Sequence, residues 1–279
     1  MVMTASLSTT MPPAPGRIKR AALKYTIIGS LAVMLIWCWI GTEMGSFDLV
    51  GSGPRIADFL DRMFPPDLTW TSSQNRPFAP PLRIALTTVA ITLQISLLGT
   101  AIGFVLAIVL GFLAAENLTP HWVHHPLKIA LALLRSIPVI LLALLFVTAV
   151  GLGAVPGVLA IGVHSVGMLG KLFAEEVEGA DAGVWEAMDS AGANWLQKVR
   201  YAIWPQVAAQ IYSLTLFRLE MNIRESAVLG LVGVAGLGLW IENYRRAFDY
   251  PSVATLVIVT MMVVLVVEQL SIYVRRKLK

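Results

Sequence analysis

The sequence predicts an all-α integral membrane protein with about six transmembrane helices. Of its 279 residues, 57% are hydrophobic and 14% are charged, and the mean hydropathy is +0.74. Soluble domains have roughly 45–50% apolar and about 25% charged residues. The apolar residues fall into runs of roughly 20, which suit membrane helices, whereas the strands of a membrane barrel need about ten. Helices also satisfy their own backbone hydrogen bonds in lipid.

Six apolar segments divide the chain into membrane spans and connections. The predicted spans cover residues 25–40, 82–113, 127–150, 156–173, 207–229 and 252–272. The chain begins with a stretch rich in Ser, Thr and Pro, which is typical of disordered segments. We therefore expect a disordered cytoplasmic tail at 1–24 and one transmembrane domain at 25–279.

The longest predicted connection, 41–80, is expected to be external and contains an amphipathic stretch at 54–64. On a helix, its apolar residues Ile56, Phe59, Leu60 and Met63 fall on one face and its charged residues Asp58, Asp61 and Arg62 on the other. This pattern suits a helix that lies on the membrane surface. A loop helix that packs against the rest of the protein explains the pattern equally well.

Positive charges indicate the orientation, because Lys and Arg accumulate on the cytoplasmic side of membrane proteins. Of the 21 Lys and Arg residues, twelve fall on one side of the predicted spans, six on the other and three inside spans. The richer side holds both termini and the connection 174–205. The sequence therefore predicts a multi-pass protein of the plasma (inner) membrane with both termini in the cytoplasm. This topology explains the net charge of +4 without a nucleic-acid partner. The single cysteine, Cys38, excludes a disulfide framework.

The cytoplasmic connection contains a polar stretch, 186–205, in which the sequence predicts two short helices joined by a hinge. The first helix is expected at 186–191, and Gly192 follows it at a position that favours positive φ. Asn194 and Gln197 have the spacing of a capping box for the second helix. The second helix carries an apolar stripe of Leu196, Val199 and Ile203, and Pro205 either ends it or opens the next helix. A hinged helical pair between spans is suited to binding another protein.

The same stretch resembles the EAA loop of ABC importer permeases, whose pattern is E-A-A-x3-G followed by I-x-L-P. Glu186, Ala187, Gly192 and Pro205 match this pattern, whereas Met188, Ala202 and Trp204 depart from it. In that family the loop is the coupling element that seats in a cleft of the cytoplasmic ATPase. The resemblance implies a type I, MetI-like permease fold. It also implies ATPase-coupling roles for Glu186, Ala187, Gly192, Ala193 and Pro205.

The fifth predicted span carries an unusual run of polar residues, Arg218, Glu220, Asn222, Arg224 and Glu225. Charges at membrane depth are costly unless they are paired or face water. Glu220 and Arg224 are expected to pair on one helix face, whereas Arg218 and Glu225 are expected on other faces. We predict that this run and His164 of the fourth span line a translocation pathway. The alternatives are a structural ion network and, for His164, a packed, hydrogen-bonded histidine.

A glycine-rich apolar segment, 230–238, follows the charged run. Its glycines, Gly230, Gly233, Gly236 and Gly238, permit close backbone approach and non-helical turns. Such backbone is tolerated at membrane depth where it is buried or lines a cavity. We predict a gate or re-entrant hairpin at the outer mouth. Tight helix packing through small residues is the alternative.

Other motifs do not indicate catalysis. His121, His124 and His125 lie in a predicted cytoplasmic loop that lacks the carboxylate and cysteine spacing of a metal site. The sequence contains no G-x4-G-K-[ST] motif, so ATP binding through a P-loop is not expected. We therefore expect no enzymatic activity, no bound cofactor and no metal in this chain.

A wider stretch, 80–279, resembles the phosphonate-type ABC permeases. The resemblance depends on 134–138, on 164–172 and most specifically on RLEMNIRESAVLGLVGVAGLG at 218–238. It implies a homodimeric pore that imports phosphonate or a related oxyanion, phosphate or phosphite, by alternating access. It also implies two ATP-binding cassette subunits that use ATP and Mg, and an extracytoplasmic substrate-binding protein. The alternatives are a permease for another small solute and an ion-coupled secondary transporter, which would usually show inverted repeats.

Overall fold

The computed structural model describes residues 17–42, 48–70 and 78–278, and these form an almost entirely helical protein. The α-helices in chain order are α1 Arg17–Gly41, α2 Leu49–Met63, α3 Pro81–Ala114, α4 His121–Ser136, α5 Val139–Val150, α6 Val155–Glu178, α7 Ala182–Ser190, α8 Trp195–Gln197, α9 Trp204–Leu229, α10 Leu237–Arg246 and α11 Tyr250–Leu278. A π-helix, Lys198–Ile203, joins α8 to α9, and a 3-10 helix, Gly230–Val232, follows α9. The predicted all-α class is confirmed.

The chain divides into two compact units, Met1–Phe59 and Leu60–Lys279. In the first unit α1 begins at Arg17, so residues 17–24 are helical and the predicted disordered tail was too long. Residues 1–16 lie outside the described residues. The side chains of α1 are exposed from Leu23 onward, as suits an apolar helix surrounded by lipid. The second unit contains the residues that were predicted to function.

Among the described residues, four helices are long and apolar enough to cross a membrane: α1, α3, α6 and α11. The pair formed by α4 and α5 passes the same test as one broken span. α9 corresponds to the remaining predicted span, and its 26 residues give a helix about 39 Å long. It is more polar than the others because the charged run lies within it. Length and composition alone therefore support five of the about six predicted spans.

The third predicted span, 127–150, is not one straight helix. α4 ends at Ser136 and α5 begins at Val139, with an angle of 85° between them. Pro138 causes the break, since a residue before proline is driven out of the helical region. Ile137 accordingly has φ −82° and ψ 118°. The histidines that were predicted in a loop lie in a helix. His121 begins α4, and its ring stacks on that of His125.

α2 contains the stretch that was predicted to be amphipathic. The helix runs from Leu49 to Met63, and its apolar side chains Ile56, Phe59 and Leu60 are exposed. The helix is therefore confirmed, and its position on the membrane surface stays a prediction. Residues 43–47 and 71–77 of the predicted external connection lie outside the described residues.

α3 and α6 form the most extensively packed helix pair of the second unit. Gly103 and Gly111 of α3 face Ser165 and Phe173 of α6. A Cβ atom at Gly103 would lie 2.5 Å from the Ser165 side chain, and one at Gly111 would lie 2.8 Å from that of Phe173. Glycine at these positions lets the two backbones approach closely. The close approach positions polar groups of both helices against α9.

α10 packs on α3 and α11 around Leu237, Tyr244 and Leu256. The buried Glu242 accepts hydrogen bonds from two exposed arginines, from Arg245 at 2.7 and 2.8 Å and from Arg246 at 2.6 Å. Hydrogen bonding from Arg245 has the largest effect, and together with the bond from Arg246 it lowers the pKa of Glu242 to about 2. The carboxylate therefore remains charged through the physiological pH range.

Candidate functional site

Arg218 of α9 lies at the centre of a buried ion pair. Its side chain is 2% exposed, and it donates from Nη2 to Oε2 of Glu225 at 2.9 Å and from Nη1 to Oε1 at 3.3 Å. The prediction that Arg218 and Glu225 lie on different faces was wrong. Seven residues make almost two full turns of an α-helix, so the two side chains project from nearly the same face.

Three residues of α6 complete the contacts of Arg218. Its Nη2 bonds Nδ1 of His164 at 2.6 Å, Nε donates to Oγ of Ser165 at 3.3 Å, and Nη1 contacts Sδ of Met168 at 3.2 Å. Together with the two bonds to the carboxylate, these contacts engage every N–H group of the guanidinium. Because a guanidinium only donates, His164 accepts at Nδ1 and carries its proton on Nε2.

Asn222 of α9 joins α3 to this network. Its Nδ2 donates to Oγ1 of Thr100 at 2.7 Å and to Oγ of Ser165 at 3.0 Å, and its backbone oxygen accepts from Ser96 at 3.2 Å. Ser96 and Thr100 belong to a buried row of hydroxyls along α3 that sequence reasoning missed: Thr88, Thr92, Ser96 and Thr100. Its signal was a hydroxyl residue at every fourth position of an otherwise apolar helix, which places all of them on one face.

Glu220 belongs to a second, separate ion network. The predicted pair with Arg224 is present, at 3.5 Å, and Arg275 of α11 lies closer, at 3.1 Å. Glu220 is buried, whereas half of the Arg224 side chain is exposed. The six predicted pathway residues therefore divide into two groups. His164, Arg218, Asn222 and Glu225 join α9 to α6, and Glu220 with Arg224 faces α11.

The glycine-rich segment reverses the chain between α9 and α10. Gly233 and Gly236 have φ of +91° and +130°, and a Cβ at Gly230 or Gly238 would collide with the facing backbone. Thr92 of α3 accepts from the N–H of Leu237 at 3.0 Å and so caps the first turn of α10. A parallel bridge between Gly153 and Val234 also ties the segment to the turn before α6. The tight packing through small residues that was given as the alternative is therefore present. The role of the segment as a gate stays a prediction.

The polar stretch before α9 has the predicted hinge. Gly192 has φ +76°, and Asn194 and Gln197 form both bonds of the capping box, at 3.0 and 2.9 Å. Two details differ from the prediction. The first helix, α7, begins earlier, at Ala182, because Asp181 caps it by accepting from the N–H of Gly183. The second helix runs through the π-helix directly into α9, so Pro205 opens α9.

The loop between α3 and α4 contacts α8 within this stretch and the end of α6 before it. Trp195 of α8 donates to the backbone oxygen of Leu118 at 3.1 Å, and Asn117 donates to the oxygen of Val177 near the end of α6 at 2.9 Å. Lys128 bridges Glu116 of the loop and Glu178 of α6, at 2.7 Å each. Across the hinge, Lys198 pairs with Asp189. The stretch is therefore fixed at its base, while Glu186, Ala187 and Gly192 are exposed.

Comparison with known proteins adds a family to this geometry. Residues 107–279 match the model of the family described as binding-protein-dependent transport system inner membrane component. The chain belongs to this family. The match includes the hinged stretch, α9, the glycine-rich segment and every residue that the sequence predicted for coupling, the pathway or the gate.

Individual relatives agree with this membership. The chain is 37% identical to the phosphite transport system permease protein PtxC of Stutzerimonas stutzeri over 248 residues, 88% of this chain and 86% of the relative. It is also 37% identical to the phosphate-import permease protein PhnE of Mycolicibacterium smegmatis over 229 residues, 82% of this chain and 41% of that relative.

The fold is similar to that of solved importer chains. A chain from an inward-facing structure of the MetNI methionine ABC transporter has a TM-score of 0.64 and 18% identity. The match covers 71% of this chain and 97% of that one. At this identity the likeness shows the fold alone, and it confirms the predicted type I, MetI-like architecture. The chain is thus a membrane-spanning permease of an ABC importer, whose family works with ATP-binding and substrate-binding partners.

Proposed function

We propose that this permease forms the pore through which a phosphorus oxyanion, namely phosphonate, phosphite or phosphate, is imported at the expense of ATP. The similarity to phosphite and phosphate permeases over more than four fifths of the chain carries the substrate class. The chain is also 39% identical, over 52% of its length, to the putative cryptic phosphonate transport system permease protein PhnE1 of Escherichia coli. A permease for another small solute is the alternative.

The proposed assembly has two copies of this chain around the pore, two ATP-binding cassette subunits and an extracytoplasmic binding protein. The permease itself has no ATPase site, and the cassette subunits use ATP and Mg. Both termini and the stretch 174–205 face the cytoplasm, because the Lys and Arg residues are concentrated on that side. ATP binding moves the coupling stretch, and the helices then expose the pathway alternately to either side of the membrane.

Coupling depends on the continuity of the hinged stretch with α9. Glu186, Ala187, Gly192, Ala193 and Pro205 are the residues assigned to coupling. The exposed helix α7 offers the contact surface for an ATPase subunit. From there the chain passes through the hinge and the π-helix into α9, which carries Arg218. This path is the observation that best supports ATP-driven transport.

Within the pathway, we assign the two groups of charges different roles. Arg218 has no N–H group left for a substrate, so its group stabilises the packing of α9 on α6. Arg224 has an exposed guanidinium with two contacts, each at 3.5 Å, to Met221 and Glu220. Its fork of donors suits a phosphorus oxyanion, and the nearby Glu220 limits how tightly the anion is held. Arg224 is therefore the substrate-contacting residue.

The test is uptake by the complete transporter reconstituted in vesicles. We expect ATP-dependent uptake of at least one labelled phosphorus oxyanion, and about tenfold slower uptake by Arg224→Ala, the loss expected for one charge-assisted contact. ATP hydrolysis and assembly should remain intact in this variant. Uptake of an unrelated solute alone would support the alternative substrate class, and uptake driven by an ion gradient without ATP would refute the proposal. Unchanged uptake by Arg224→Ala would remove Arg224 from the pathway.

A further inference from the structure

A cavity of about 290 Å³ lies between α9 and the end of α11. It is lined by Ser213, Ile272, Arg275 and Arg276. Its volume is at the lower end of the range for ligand pockets, roughly 300–1,000 Å³. Two guanidinium groups and one hydroxyl therefore border a space of the size of a small ligand.

Both arginines retain hydrogen-bond donors that the described residues do not use. Arg275 donates from Nη2 to Glu220 at 3.1 Å and from Nε to the backbone oxygen of Ser271 at 3.3 Å, which leaves its Nη1 hydrogens free. Arg276 is exposed and makes no ion pair or hydrogen bond within the described part of the chain. Guanidinium forks match the geometry of phosphate oxygens.

We propose that this cavity binds a phosphate group, supplied by the head group of an anionic phospholipid or by a free phosphorus oxyanion. Arg275, Arg276 and Lys277 form the last turn of a membrane helix, where a lipid head group lies. Basic pockets between membrane helices on the cytoplasmic side bind anionic head groups. Ser213 supplies a hydroxyl donor from α9. The site is separate from the proposed substrate contact at Arg224 and does not depend on which solute is transported.

Occupation of the cavity affects the charged run of α9. The guanidinium of Arg275 that borders the cavity also holds Glu220, the buried carboxylate of the second ion network. A bound phosphate group uses the free donors of Arg275, and its negative charge competes with the Glu220 carboxylate for the same guanidinium. The ligand therefore weakens the tie between α9 and α11.

The experiment measures ligand binding to the complete transporter without ATP and with no solute other than the probe. The probes are phosphatidylglycerol, with phosphatidylcholine as the reference lipid, and inorganic phosphate. Retained lipid is measured by native mass spectrometry and phosphate binding by calorimetry. We expect Arg276→Gln to weaken binding about tenfold, the loss expected for one charge-assisted hydrogen-bonding group. Lys277→Gln is the matched control, because Lys277 is adjacent and equally charged but lies over the ring of Tyr273.

The outcomes separate the two sources of the phosphate group. A loss by Arg276→Gln with phosphatidylglycerol alone assigns the site to lipid, and a loss with inorganic phosphate alone assigns it to the free anion. Equal effects of Arg276→Gln and Lys277→Gln on both probes overturn the site. Glu220→Gln should tighten binding, since it removes the competing carboxylate, and unchanged affinity would overturn the competition. Because transport is not measured, failure here is distinguishable from failure of the proposed import function.

Discussion

Glu225→Gln is expected to destabilise the protein much more than Glu220→Gln, although both variants remove one carboxylate from α9. The side chain of Arg218, the partner of Glu225, is 2% exposed, whereas those of Arg224 and Arg275, the partners of Glu220, are 50% and 24% exposed. Leaving a buried charge unpaired costs roughly 3–5 kcal/mol. Glutamine keeps one acceptor oxygen, so we place the cost of Glu225→Gln at about 3 kcal/mol. Arg224 is exposed and Arg275 is only partly buried, so both reach water once the carboxylate is removed, and Glu220→Gln should cost about 1 kcal/mol or less.

The assay is thermal unfolding of the purified permease with a matched double-variant cycle. At about 2–4 °C per kcal/mol for a chain of this size, Glu225→Gln should lower Tm by about 6–12 °C. Arg218→Met removes the other partner, and the double variant leaves no buried charge. The double variant should therefore lose less than the sum of the two single losses, by about 2 kcal/mol. Equal shifts in Glu225→Gln and Glu220→Gln, or strictly additive losses in the cycle, would refute the buried ion pair as the source of stability.

Three further predictions concern the hinge, the cap of α10 and the ion pairs of Glu242 with Arg245 and Arg246. Gly192→Ala should strain a backbone with φ +76° by about 1–2 kcal/mol and lower uptake per ATP hydrolysed. The control Gly183→Ala, in the first turn of α7, should leave uptake per ATP hydrolysed unchanged. An unchanged uptake per ATP hydrolysed in Gly192→Ala would contradict the role of the hinge. Thr92→Val removes the buried acceptor for the first amide of α10 and should cost about 1–3 kcal/mol in thermal unfolding. The exposed Thr87→Val is its control, and equal losses would contradict the cap. Glu242→Gln should lower Tm at neutral pH, and its difference in Tm from the wild type should shrink as pH falls from 4.5 to about 2. A carboxylate with a lowered pKa stabilises the fold fully above its unfolded pKa, and this stabilisation is lost as pH falls through its folded pKa. A difference that stays constant through this window would contradict the lowered pKa.

The helices and the hinge followed from local sequence because each depends on residues that are close in the chain. Gly192 and the capping box of Asn194 with Gln197 are such features, and the structure has both. The pairing of Arg218 with Glu225 was equally accessible from helix geometry, since seven residues return nearly to the same face. The sequence therefore contains the information that pairs Arg218 with Glu225.

Contacts between distant segments were beyond local sequence reasoning. Arg275 lies 55 residues from Glu220, and its position in a basic C-terminal cluster was explained by topology alone. The break at Pro138 illustrates a different limit. The apolar run 127–150 has the composition of one span. Pro138 marks where the helix breaks, but only the packing of α4 and α5 on α6 shows that the angle is 85°.

The hinged stretch and the Arg218 network form one closed mechanical loop. α6 leads directly into α7, and the chain then returns through the hinge and the π-helix to α9, whose Arg218 is bonded back to His164 and Ser165 of α6. About 20 Å of helix separates Pro205 from Arg218. Lys128 fixes the end of α6 and Trp195 fixes α8. A push on α7 can therefore deform the structure at only a few positions. These are the left-handed Gly192, the π-helix, which is a common site of functional adjustment in helices, and the bonds of Arg218. If the first two yield, a push on α7 moves α7 alone. Movement of α9 relative to α6 therefore requires both a stiff hinge and the breaking of the bonds between Arg218 and α6.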